Sequence, residues 1–207
     1  MTGKEKFCQQ MDVSRETLLR LETFEAILTK WNGAINLVSA SSLQQIWTRH
    51  FLDSAQIFTL CPKAARVWVD IGSGGGLPGL VVAALAKESL PDLRVTLIES
   101  DTRKAAFLAA AARAMDVDVT IHAKRIEAVV PQNADVLSAR ALAPLSVLLE
   151  YAERHLSGDG ICIFPKGAHW QDEITAAHAA WRFNYTAQPS LTEDNAVVLE
   201  IMGAQRV

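Results

Sequence analysis

The first sixty residues carry apolar side chains at helical spacing. From Ser14, which suits an N-cap, they recur every three or four positions as far as Trp31, and Asn32-Gly33 supplies a stop. A second amphipathic pattern begins at residue 41 or 42 and runs to Phe58, before Cys61-Pro62 interrupts it. The two patterns predict an N-terminal helical cap over residues 1–62, without a large core of its own.

After Pro62 the pattern changes to short β-branched runs that alternate with helical stretches. The runs predict five strands, at 67–71, 94–98, 117–122, 135–138 and 161–164, and the helical stretches lie at 80–87, 103–115 and 145–155. Such alternation is typical of an α/β, Rossmann-like, doubly wound and mostly parallel sheet. A helix over 169–181 and an antiparallel hairpin from 183–187 and 196–202 are predicted to complete one compact domain over residues 63–207. A closing hairpin of this kind is typical of methyltransferase sheets rather than of dehydrogenase sheets.

Composition narrows the class of protein without giving its partner. The longest apolar runs fall well short of the roughly 18 residues that a membrane span needs, and no N-terminal signal pattern precedes them, so we expect a cytoplasmic protein. Its three cysteines lack metal-ligand spacing, so neither a disulfide nor a metal site is predicted. A net charge of -3 argues against a protein that coats nucleic acid, although a local basic patch can bind a structured RNA. No exposed apolar stripe stands out, and we expect a monomer.

A glycine-rich turn follows the first predicted strand, in the segment Asp70-Ile71-Gly72-Ser73-Gly74-Gly75-Gly76-Leu77-Pro78-Gly79. In a doubly wound sheet, ligands bind beyond the carboxyl ends of the strands at this point, and glycines allow the backbone to approach them closely. Residues 74–79 also satisfy the dinucleotide pattern G-x-G-x-x-G, and Glu99, at the end of the next strand, suits a ribose hydroxyl in either kind of site. Asp70 before the glycines favours a cationic amino-acid ligand, S-adenosylmethionine, over a pyrophosphate. An NAD-dependent oxidoreductase remains the alternative.

Several segments form a recognisable set: Lys30-Trp31-Asn32, Asn36-Leu37-Val38-Ser39, Arg49-His50-Phe51-Leu52-Asp53-Ser54, Asp70 to Gly79, Arg125-Ile126-Glu127, Ser138-Ala139-Arg140-Ala141 and Pro165-Lys166-Gly167. Together they resemble the bacterial 16S rRNA guanine-N7 methyltransferase family, RsmG, formerly GidB. The resemblance runs from about Phe24 to Gly167, and the last forty residues match only in texture. It implies a class I fold, S-adenosylmethionine as methyl donor, and a guanine of 16S rRNA, in the free RNA or the small ribosomal subunit, as acceptor. A methyltransferase with another substrate is the alternative within this class.

The predicted cofactor-binding residues combine strand-end position with this resemblance. They are Gly72, Gly74, Leu77, Glu99, Ile126, Glu127 and Arg140. No catalytic residue is predicted, because guanine N7 offers an unprotonated lone pair and alignment alone can lower such a barrier by roughly 7 kcal/mol or more.

Three residues are candidates for substrate contact, namely Lys166, Arg125 and His50. Lys166 and Arg125 end predicted strands on the ligand side, where they would contact RNA phosphate or simply be solvated. For His50, a buried histidine paired to a carboxylate is an equal alternative. Arg49 and Asp53, four residues apart, have the spacing of a simple ion pair.

Overall fold

The computed structural model describes all 207 residues. Its helices are α1 (Gly3–Gln10), α2 (Arg15–Asn32), α3 (Ala40–Leu43), a π-helix (Ile46–Leu52), α4 (Asp53–Phe58), α5 (Gly79–Ser89), α6 (Thr102–Ala114), α7 (Leu145–His155) and α8 (Trp170–Ala177), with a short 3-10 turn at Ile126–Ala128. Its strands are β1 (Val67–Ile71), β2 (Arg94–Ile98), β3 (Val119–His122), β4 (Ala134–Ser138), β5 (Leu156–Lys166), β6 (Trp181–Pro189) and β7 (Val197–Arg206).

The seven strands form one sheet in the order β3-β2-β1-β4-β5-β7-β6. β1 to β5 run parallel, and β7 pairs antiparallel with both β5 and β6. Asp70 of β1 lies in register with Leu97 of β2 and Ser138 of β4, so the carboxyl ends of these strands form one edge. The predicted doubly wound sheet with a closing hairpin is confirmed.

The closing part of the sheet is longer than the sequence pattern indicated. β5 begins at Leu156 rather than at residue 161, and Trp181, predicted in a helix, is buried at the start of β6. The first half of β5 was not predicted, because it contains the polar stretch Ser157-Gly158-Asp159-Gly160. This stretch lacks the apolar alternation that marks a strand.

The N-terminal region differs from the two predicted helices. The sequence prediction missed α1, which begins with a capping box between Thr2 and Glu5 and buries one apolar side chain, Phe7. The second predicted helix is broken into α3, the π-helix and α4. The wider turns of the π-helix bury Trp47, His50 and Phe51 together. Five of its seven residues are buried, which is more than one face of a regular helix with 3.6 residues per turn would bury.

Helices α1 to α4 pack on α5 and α6 through a continuous apolar core. Phe24 of α2 stacks on Phe51 of the π-helix and on Phe107 of α6, with ring centroids 5.4 and 6.5 Å apart. Leu80 and Val81 of α5 belong to the same core cluster. The boundary at residue 62 stays a prediction, and the apolar packing crosses it. None of the helices has both the length and the apolar character needed to cross a membrane.

Candidate functional site

A cavity of about 450 Å³ opens at the carboxyl edge of the sheet, above β1, β2 and β4. All seven residues predicted to bind the cofactor line it: Gly72, Gly74, Leu77, Glu99, Ile126, Glu127 and Arg140. Two of the predicted substrate contacts, Arg125 and His50, line it as well. The structure therefore brings the predicted residues together, while their individual roles remain predictions.

The glycine turn is a backbone arrangement that side chains would disrupt. Gly72, Gly74 and Gly76 all have positive φ, of 65°, 50° and 79°. A Cβ at Gly72 would lie 2.6 Å from a methyl carbon of Leu142, and the N–H of Gly72 donates to the carbonyl of Ile98 at 2.9 Å. The turn is thus held against the end of β2 with its backbone exposed toward the cavity.

Asp70 lies beneath this turn and not in the cavity. It is fully buried, and its Oδ1 accepts a hydrogen bond from Ser138 Oγ at 2.7 Å. Its Oδ2 has no hydrogen-bond partner and lies beside Gly79 at the start of α5. Burial raises the pKa of Asp70 to about 6. The side chain therefore does not line the cavity, and its carboxyl group braces β4 from beneath the turn.

Glu99 has the geometry that a ribose diol requires. Its Oε2 accepts from the N–H of Gly74 and its Oε1 from the N–H of Asp101, both at 2.8 Å. Each oxygen keeps a further lone pair that can accept from a hydroxyl. Glu99 does not cap α6, since the N-cap of that helix is Asp101.

A loop between α2 and α3 covers the other side of the glycine turn. The side-chain oxygen of Asn32 accepts from the N–H groups of Leu37 and Val38, at 2.9 and 3.0 Å, and both of these residues line the cavity. A Cβ at Gly75 would lie 3.2 Å from the carbonyl oxygen of Leu37. Gly75 thus allows the loop to approach. These residues belong to the segments that resemble the family, but no sequence pattern predicts a role for them.

Arg140, at the end of β4, is held by residues 49–53. Its Nε pairs with Asp53 Oδ2 at 2.7 Å, its Nη2 donates to the carbonyl of Arg49 at 2.9 Å, and its Nη1 donates to His50 Nδ1 at 3.0 Å. Arg49 and Asp53 do not pair with each other, because Asp53 is taken by Arg140. The Arg140–Asp53 pair is partly buried, since the two side chains are only 21% and 13% exposed.

His50 is a neutral, buried histidine. Because a guanidinium only donates, His50 Nδ1 accepts from Arg140, and the ring proton lies on Nε2, which donates to Ser42 Oγ at 2.9 Å. Burial, together with the nearby charges of Arg140 and Arg49, lowers the pKa of His50 to about 4. The histidine partner is therefore a cation and not the carboxylate considered from the sequence.

Lys166 does not line this cavity. Its Nζ donates to Glu173 Oε2 at 2.7 Å and to the carbonyl of Ala143 at 3.1 Å, and its side chain is only 8% exposed. The same Glu173 oxygen accepts from the N–H of Leu145 at the start of α7. Simple solvation of Lys166 is therefore wrong, because its charge is held in an ion pair that anchors α7 and α8, while its contact with the substrate stays a prediction.

A second cavity, of about 560 Å³, lies on the β5 side of the first. The two cavities share a wall of three residues, Arg140, Ala141 and Leu142. Ala141 has φ of 51°, a conformation that costs a non-glycine residue about 1–2 kcal/mol. Leu142 is 36% exposed although it is large and apolar. No sequence pattern marked Leu142, because its position depends on the bend at Ala141.

Fold and site together define a class of protein, the S-adenosylmethionine-dependent methyltransferases. The fold is similar to a TehB-like S-adenosylmethionine-dependent methyltransferase from Corynebacterium glutamicum, with TM-score 0.57 and 16% identity over 86% of this chain and 97% of that one. It is similar also to a methyltransferase of the same cofactor class from Aquifex aeolicus, with TM-score 0.58 and 13% identity over 86% and 98% of the two chains. At these identities the likeness establishes the fold alone.

Sequence relatives give the particular family. The family model described as "GidB: rRNA small subunit methyltransferase G" matches residues 17–201. The chain is 55% identical to ribosomal RNA small subunit methyltransferase G of Ruegeria sp. over 96% of both chains, and 51% identical to that of Rhodospirillum centenum over 91% of this chain and 85% of the relative. The chain belongs to the rRNA small subunit methyltransferase G family. The match also extends past Gly167, where the sequence resemblance stopped, into β7.

Proposed function

We propose that this protein transfers the methyl group of S-adenosylmethionine to N7 of a guanine in 16S rRNA of the small ribosomal subunit. Membership of the methyltransferase G family supports this activity. The structural observation that carries the proposal is the wall shared by the two cavities, at Arg140, Ala141 and Leu142. The methyl donor in the first cavity and the guanine in the second cavity would meet across this wall.

The polar and apolar groups that line the first cavity fit S-adenosylmethionine. Glu99 would accept from the ribose hydroxyls, the glycine turn would lie against the amino-acid part, and the buried Ile126 would face the base. The cofactor supplies an electrophilic methyl group on a sulfonium. Asp70, ionised at neutral pH because its pKa is about 6, adds negative charge beneath the turn and favours this cation over a pyrophosphate.

The second cavity fits an acceptor that needs no general base. Lys166 is committed to Glu173, and Asp53 is committed to Arg140. Neither group is therefore free to take a proton from a substrate, which leaves Glu193 as the one unpaired carboxylate of the lining. Guanine N7 has a lone pair and no proton to lose, so alignment of the base beside Leu142 supplies the chemistry that the site offers.

The rim of the first cavity supports contact with RNA. Lys104, Lys124 and Arg125 line it, and Arg125 is 74% exposed with only a loose 3.8 Å approach to Glu127. Their positive charges can approach phosphates around the target base. The protein is proposed to act in the cytoplasm, as a monomer and without a metal.

The direct test uses the purified protein and small ribosomal subunits from cells that lack it. Labelled methyl groups from S-adenosylmethionine are expected to enter 16S rRNA as 7-methylguanine at one position. The Gly72→Val variant, whose side chain would collide with Leu142, should transfer none, while Gly158→Ala, with no neighbour within 4 Å of the new Cβ, should act like wild type. Label in another nucleoside, in ribosomal protein, or nowhere would contradict the proposal.

A further inference from the structure

One face of α7 holds the segment that follows β3. Tyr151, Arg154 and His155 stand at positions i, i+3 and i+4 near the end of this helix, so they share a face. All three hydrogen-bond to residues 126–129, the 3-10 turn and the residue after it. This segment supplies Ile126 and Glu127 to the first cavity.

The contacts are aimed mainly at backbone carbonyl groups. His155 Nε2 donates to the carbonyl of Ile126 at 3.1 Å. Arg154 donates to the carbonyl of Val129 through both Nε and Nη2, at 3.1 and 2.9 Å. Tyr151 adds a hydrogen bond from its hydroxyl to Glu127 Oε1 at 3.1 Å.

A histidine is not needed at position 155 if the side chain there only fills space in the core. It is fully buried, and its Nδ1 has no hydrogen-bond partner. An unpartnered buried polar atom destabilises the fold, and an apolar side chain of similar size would avoid this cost. The histidine therefore points to a need for the N–H that it gives to Ile126.

The sheet itself holds this segment from one side only. β3 is an edge strand, paired only with β2, and the 3-10 turn is three residues long. Strand order β3-β2-β1-β4 sets residues 126–127, Glu99, the glycine turn and Arg140 along the cavity in that sequence. With the ribose held on Glu99, the base end of the cofactor would lie toward residues 126–127.

We propose that Arg154 and His155 are positioning residues that fix the 126–129 segment against the adenosine end of the cofactor and so set the affinity for it. The proposal rests on the function proposed above. Neither residue lines the cavity, so both act through the carbonyl groups of Val129 and Ile126. Tyr151 lines the cavity itself and is left out of the test.

The test compares two ligands by calorimetry, S-adenosylhomocysteine and 5′-methylthioadenosine, which lacks the amino-acid group. Arg154→Met and His155→Leu are expected to weaken binding of both ligands by the same factor, about tenfold. KM for S-adenosylmethionine should rise with kcat unchanged. His155→Gln, which keeps an N–H near the place of Nε2, should restore most of the affinity. Glu150→Gln, a half-exposed position on the same helix, is the matched control.

Three results would overturn the inference while wild type binds both ligands. One is wild-type affinity in Arg154→Met, since that variant lacks both hydrogen bonds to Val129. Another is loss of S-adenosylhomocysteine binding with 5′-methylthioadenosine binding intact, which would place the defect at the amino-acid end. The third is equal loss in His155→Gln and His155→Leu. Absence of binding by the wild-type protein would instead refute the proposed function.

Discussion

Single side chains at the end of β4 decide how the two cavities are joined. Arg140 donates three of its N–H groups to Asp53, His50 and Arg49. Its two remaining N–H groups are free for a ligand. The guanidinium is thus oriented before any ligand binds. A reaction that depends on alignment requires side chains that are fixed in this way.

His50 makes the stability of the fold depend on pH. Its pKa is about 4 in the folded protein and near 6.5 when unfolded, so the unfolded chain binds the proton first as pH falls. Its contribution is fully present above pH 6.5 and is lost between 6.5 and 4, by about 3 kcal/mol. Urea unfolding of wild type and His50→Gln across this range should show their difference shrinking toward low pH.

Asp70 acts with the opposite sign in the same range, which provides the control. Its folded pKa of about 6 lies above its unfolded value of 3.8, so its contribution is present below pH 3.8 and is lost as pH rises through 6. Asp70→Asn should therefore steepen the fall in stability on acidification, whereas His50→Gln should flatten it. Parallel curves for wild type and His50→Gln would contradict a neutral buried histidine.

Gly72 is a residue of the turn that tolerates little change. Gly72→Ala places a Cβ against Leu142 at positive φ, so we expect a stability loss of about 1–2 kcal/mol and at least tenfold weaker binding of S-adenosylhomocysteine. Thermal unfolding and calorimetry measure the two effects. Gly158→Ala should change neither, and wild-type affinity in Gly72→Ala would show that the turn does not contact the ligand.

Strand-end position explains why the residues that line the first cavity were predictable from sequence. Gly72, Glu99 and Arg140 follow recognisable apolar runs, and parallel strands bring such ends together. The partners of the charged residues were not predictable. Asp53 and Arg140 are 87 positions apart in the numbering, and Lys166 finds Glu173 only through the path of α8. Spacing along the chain reports local pairs, such as Arg49 with Asp53, which the fold then replaces.

At the scale of elements, the π-helix carries the link between the N-terminal helices and the sheet. It presents His50 toward Arg140, with Asp53 immediately after it. Asp53 Oδ1 also accepts from Thr192 Oγ1 at 3.1 Å, which ties the β6–β7 connection to the same point. The amphipathic pattern predicted a helix here and missed its π geometry, because an inserted residue leaves no periodic signal.

The Asp53–Arg140 pair should show strong energetic coupling. Asp53→Asn keeps the shape of the side chain but removes the charge that faces a partly buried guanidinium, so we expect a stability loss of about 2 kcal/mol. A double-mutant cycle with Arg140→Gln, measured by urea unfolding, should give clear non-additivity. Asp159→Asn, at an exposed position of β5, is the control. Additive losses would mean that the pair does not hold the π-helix in place.

At the scale of the whole molecule, attraction to RNA must come from a local group of positive side chains, because the protein as a whole is negatively charged. The net charge is -3, yet Lys104, Lys124 and Arg125 gather at the mouth of the first cavity. Length and composition predicted a protein that does not coat nucleic acid in bulk. They gave no indication of where the basic residues would gather, since that depends on the loops that follow β2 and β3.

The basic rim makes a salt-dependent contribution to RNA binding. Lys124→Gln with Arg125→Gln should weaken binding to small subunits and reduce the slope of log K against log salt concentration by about 0.7–0.9 for each phosphate that is no longer neutralised. Binding of S-adenosylhomocysteine should be nearly unchanged. Arg182→Gln, exposed at the opposite edge of the sheet, is the control. An unchanged salt slope in the double variant would place the RNA elsewhere.

We propose that the two adjoining cavities serve one reaction, methyl transfer to guanine N7 of 16S rRNA. Mass mapping of 7-methylguanine in small-subunit rRNA tests it most directly, in cells with the protein, without it, and with Gly72→Val in its place. One 7-methylguanine should be present with the wild-type protein and absent in both other strains. An unchanged methylation map in cells that lack the protein would contradict it.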